Sequence, residues 1–64
     1  MTYLEILTYA RAGVKAEQSR IREMQEKAIE GGNHVLASYA QDQIDALNVK
    51  LATLDEIEEL HNRK

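Results

Sequence analysis

Glu58 and His61 stand three residues apart, the Glu-x-x-His spacing that puts a carboxylate and an imidazole on one side of a helix. In di-iron four-helix bundles this pair occurs on two helices, and single inward glutamates come from the other two. A homodimer of this chain supplies two copies of the pair. The remaining ligands are not evident. Glu5 and Glu17 are the nearest acids in the first half, and Glu5 reads as a helix cap. A two-residue motif arises easily in a glutamate-rich helix, so no metal ligand and no cofactor is assigned. A metal-binding bundle through Glu58 and His61 stands as a second alternative reading.

Arg11, Lys15 and Arg22 share one side of the first half and are of the type that touches phosphates. Small helical-bundle dimers can bind RNA in this way, which makes an RNA-binding dimer the first alternative. Against it, Glu26 interrupts the same side and the second half is acidic. Residues 1–30 carry five basic and five acidic side chains, whereas residues 34–64 carry three and six. Nucleic-acid binding needs concentrated positive charge, so this balance disfavours it.

The other polar residues read as structural. Glu17 and Lys50 each lie among apolar positions, and a turn centred near residue 32 places them within a turn of each other. They are expected to form an ion pair across two helices, with their stems snorkelling over apolar surface. His34 reads as an exposed turn residue, since no charged neighbour is evident that would make it a pH switch. Asp42, Asp45, Glu56 and Glu59 form an acidic outer face that suits solvent or a basic partner. Tyr9 lies away from the main apolar stripe, near Lys27 and Arg20. No Ser/His/Asp or Cys/His set and no glycine-rich phosphate loop is present. No catalytic residue is assigned, and the chain is read as a non-enzyme.

The elements that carry these side chains follow from composition and punctuation. Good helix formers dominate the 64 residues, and proline, phenylalanine, tryptophan and cysteine are absent. Thr2 and Glu5 have capping-box spacing, which starts helix 1 at about residue 2. Glu30-Gly31-Gly32-Asn33-His34 is the one clear break. Gly31 and Gly32 can take the positive φ that ends a helix, and Asn33 suits the N-cap of the next. Helix 1 is therefore expected over about 2–30, a turn over 31–33 and helix 2 over about 34–61, in one domain. Gly13 lies inside helix 1, either tolerated or marking a close approach with Ala10, Ala12 and Ala16 around it.

At 100° per residue, helix 1 shows one apolar stripe: Tyr3, Ile6, Leu7, Ala10, Val14, Ile21, Met24 and Ala28. Helix 2 shows two. One runs through Leu36, Ala40, Ile44, Leu47, Leu51 and Leu54. The other is offset and runs through Val35, Tyr39, Ala46, Val49, Ile57 and Leu60. An ordinary surface helix has a single apolar face of a little over 100°. Two faces need two neighbours, and helix 1 supplies only one.

The expected fold is an all-α antiparallel two-helix hairpin that dimerises into a four-helix bundle, with the offset stripe as the interface. The expected function is a small protein–protein interaction module, such as a regulator, inhibitor or adaptor. Its partner is a second copy of the chain or another protein. No apolar run approaches the roughly 18 residues of a membrane span, and no charged-then-apolar leader is seen, so a cytoplasmic setting is expected.

Overall fold

The computed structural model describes residues 2–63. Two α-helices, α1 (Tyr3–Glu30) and α2 (His34–Asn62), lie antiparallel and pack against each other along their length. The start of α1 is fixed by Thr2, whose hydroxyl accepts from the Glu5 amide at 3.1 Å. That bond satisfies one of the four free N–H groups at a helix start.

The turn uses its three residues economically. Gly32 is the residue that enters the left-handed region, at φ 72°; Gly31 stays at φ −84°. The Gly32 amide donates to Ile29 O at 3.1 Å and the Asn33 amide to Ala28 O at 2.8 Å. These two bonds are the Schellman pattern, which satisfies carbonyls that a helix end leaves free. Asn33 then begins α2, because its side-chain oxygen accepts from the Leu36 amide at 3.1 Å. One residue thus closes one helix with its amide and opens the next with its side chain.

The core is a thin seam. Ile21, Ala40, Ile44 and Leu47 are buried together, with Val14 and Met24 packed against them. Leu7 and Ala28 extend the seam toward the two ends. The molecule measures 50 × 18 × 9 Å along its principal axes. Its radius of gyration is 14.9 Å, against about 11 Å for a compact domain of this length. It is a slab one helix thick, with two broad faces.

Three details differ from what the sequence implied. Tyr3 and Ile6, placed in the seam stripe of α1, are 45% and 51% exposed. Gln18, assigned to no stripe, is buried at 7%. Glu17 forms its ion pair with Arg20 one turn along α1 and not with Lys50, because the i, i+3 neighbour reaches it without crossing the slab. Gly13, for which the sequence left two readings open, has open space around it, so the hairpin itself makes no close approach there.

Candidate functional site

The two faces of the slab have opposite chemistry. One carries a ladder of polar contacts between the helices. Arg11 donates to Asp55 through Nη2 at 2.8 Å and Nε at 3.1 Å, and also bonds Glu58. The Gln18 amide donates to Asn48 Oδ1 at 2.6 Å and lies 3.5 Å from Ile44 O. Gln25 donates to Gln41 at 2.9 Å, and Gln41 passes a bond on to Asp45 at 2.9 Å.

The ladder positions are 11, 18 and 25 on α1 and 55, 48 and 41 on α2. They are spaced by seven on both helices, and the residue numbers of each rung add to 66. Seven residues are close to two turns, so each set forms a row along one side of its helix. This register lies slightly off the value near 64 that a turn centred on residue 32 implied. At the open end the Tyr3 and His61 rings stack, with centroids 4.3 Å apart.

The ladder is also electrostatically settled. Bonds to Glu58, and then to Asp55, hold the Arg11 guanidinium above its ordinary pKa. Among the described residues no buried side-chain polar atom is left without a partner.

These contacts decide where the sequence-derived candidates go. Glu58 is held by Arg11 and His61 stacks on Tyr3, so the Glu-x-x-His pair is engaged in hairpin contacts. Among the described residues no three His, Asp or Glu side chains are gathered to hold a metal ion. Arg11 is bound to two carboxylates, so its charge is withdrawn from the basic side that Lys15 and Arg22 share with it. His34 is exposed at the first position of α2. Tyr9 is 65% exposed. No helix among the described residues is long and apolar enough to cross a membrane.

The opposite face is apolar and uncovered. The inner stripe of α2 lies in the seam, with Ala40, Ile44 and Leu47 buried and Leu36, Leu51 and Leu54 half-buried. The offset stripe faces outward. Val35 is 83% exposed, Val49 66%, Leu60 59% and Tyr39 55%. Ala46 is also exposed, and Ile57 is half-buried. Tyr3 and Ile6 of α1 turn toward the same side. Shallow hollows run along this face. One of about 320 Å³ is lined by Ala10, Val14, Val49, Thr53, Leu54 and the stem of Lys50. Another lies among Tyr3, Ile57, Leu60 and His61.

Charge on this face gathers near its middle, where Glu17, Arg20 and Lys50 lie, and Asp42 and Glu56 stand at seven-residue spacing in the row of Val35 and Val49. Glu17 sits near its middle, and its carboxyl is held below the usual range chiefly by the bond from Arg20, with a smaller pull from the Lys50 charge. Glu17 and Lys50 are therefore near enough to feel each other without forming a pair.

The polar ladder is a feature of the structure that the sequence alone does not announce. Its signal was the repeat Arg11, Gln18, Gln25 mirrored by Gln41, Asn48, Asp55, two polar rows with the seven-residue spacing of an apolar seam. Compared with known proteins, the chain matches no protein family, no curated protein and no solved structure.

Proposed function

We propose that this chain is a small non-enzymatic protein–protein interaction module, a helical hairpin that works by docking its apolar face. A regulator, inhibitor or adaptor in a cytoplasmic setting is the role that suits it. The carrying observation is the offset stripe of α2: Val35, Tyr39, Val49 and Leu60 stay more than half exposed after α1 has packed. A contiguous exposed apolar surface on a small chain marks an interaction site, whereas scattered single residues do not. Interfaces favour aromatic anchors, and the exposed Tyr39 and Tyr3 toward the two ends of this face suit that pattern.

A photo-crosslinking amino acid at Tyr39, introduced in the cells that make the protein, tests this reading. Irradiation is expected to give discrete adducts. The same probe at Asp45, on the outer side of α2, is expected to give none. Equal labelling at both positions, or none at Tyr39, refutes the docking face.

A further inference from the structure

We infer that the occupant of the apolar face is a second copy of this chain, stacked face to face so that two slabs close into a four-helix bundle. This rests on the interaction reading above and names its partner. Three observations carry it.

The first is area. The chain exposes 4856 Å², whereas a folded monomer of 7.3 kDa exposes about 4,200 Å². The excess, about 650 Å², is most of the ~800 Å² that each partner contributes to a standard interface. The second is shape. A slab 9 Å thick covers its seam from one direction within its own plane and leaves both broad faces to solvent. Only the apolar face lacks a network of its own. An identical flat slab is the simplest body that covers its full 50 Å length.

The third observation is charge. A twofold interface must be complementary to itself. Near the middle of this face stand one acid, Glu17, and two bases, Arg20, which is paired with Glu17 along α1, and Lys50, close to the same height. Whichever way the twofold axis runs in the plane of the face, Glu17 and Lys50 of one copy fall near Glu17 and Lys50 of the other. The centre of the bundle then brings each Lys50 toward the Glu17–Arg20 pair of the other copy, so that Glu17 is the acid available to Lys50 across the interface. Tyr39, Val49 and Leu60 fill the apolar surface on either side of them.

The test reads charge between chains rather than within one. Purified parent protein is expected to sediment as a dimer at tens of micromolar. Glu17→Lys gives a chain with three positive charges at this height, and Lys50→Glu gives one with two negative charges beside Arg20. Each variant alone places like charges against like, and its self-association is expected to weaken about tenfold or more. An equimolar mixture is expected to recover the parent's association as a heterodimer, although each chain still carries its own mismatch. Intrachain pairing cannot produce that recovery. Circular dichroism on each variant at high concentration checks that it is helical.

Val49→Asp, which puts a charge in the apolar surface, is expected to shift the parent toward monomer. A parent that sediments as a monomer, together with a mixture that behaves as the sum of its components, overturns the second copy. In that event a Tyr39 adduct with a different protein leaves the docking reading standing, and the lack of any adduct removes both.

Discussion

At the scale of single residues, the turn is where the backbone has least freedom. Gly32 at φ 72° occupies a region that costs an L-amino acid about 1–2 kcal/mol, and a β-branched residue more. Gly31 is held at an ordinary negative φ, and a methyl group there would meet Lys27 O at 3.4 Å, an ordinary contact. The two neighbours should therefore respond differently. Gly32→Val is expected to lower the melting temperature by about 5–15 °C, given the small size of the chain. Gly31→Ala is expected to stay within a few degrees of the parent. Thermal melts followed by circular dichroism decide. Equal losses at the two positions would show that the left-handed residue is not the one that makes the turn. The sequence announced a double glycine, but not which one turns, because both residue types permit it and only the bonds to Ala28 O and Ile29 O choose.

At the scale of elements, legibility followed chemistry. The two stripes of α2 could be separated on paper because apolar periodicity reports burial directly, and Ala40, Ile44 and Leu47 are buried while Val35 and Val49 are not. The interhelical ladder could not, because a polar row with seam spacing looks the same as a solvated face until a partner row is opposite it. Tyr3 and Ile6 show the converse error: they belong to the apolar arc of α1, but one neighbouring rod covers only part of that arc.

The ladder itself invites a test of what it does. Gln18 is the buried polar side chain among the described residues, and its partner Asn48 is exposed and can turn to water. Gln18→Leu adds apolar burial beside Ile21 and Ile44 and leaves no buried group unpaired, so it is expected to raise the melting temperature. Polar residues at seam positions fix register at a cost in stability. Replacing Arg11, Gln18 and Gln25 together with Leu is therefore expected to stabilise the helices further while broadening the amide spectrum, as several alignments become populated. A triple variant with one sharp set of amide resonances would show that the apolar seam alone sets the alignment.

At the scale of the whole molecule, thinness dominates. Six apolar residues among those described are buried below a tenth of their surface, and none of the larger ones is sealed completely. A chain of this size is marginal in any case. Leu47, 8% exposed in the middle of the seam, is therefore a large part of what holds the hairpin. Leu47→Ala typically removes about 2–5 kcal/mol from a packed core. Here that is expected to abolish the cooperative melt at every concentration, whereas Val49→Asp keeps helicity when the protein is concentrated. Calorimetry on the two variants distinguishes them. A Leu47→Ala protein that still melts cooperatively would mean that the seam is not the main source of stability.

Asn33, shared between the end of one helix and the start of the next, also bears on how fast the chain finds its fold. Its three-residue turn sets the smallest loop in the molecule, and the rungs above it join residues 16, 30 and 44 apart in sequence. Once the Gln25–Gln41 rung is made, each later one extends an existing pairing and closes only a short additional length of chain, so the loop-closure cost is met in small instalments. Helix–helix proteins with such nested, mostly local contacts fold in microseconds to milliseconds. A hairpin nested in this way is expected to close from the turn outward, with the stacked rings of Tyr3 and His61 the last to meet.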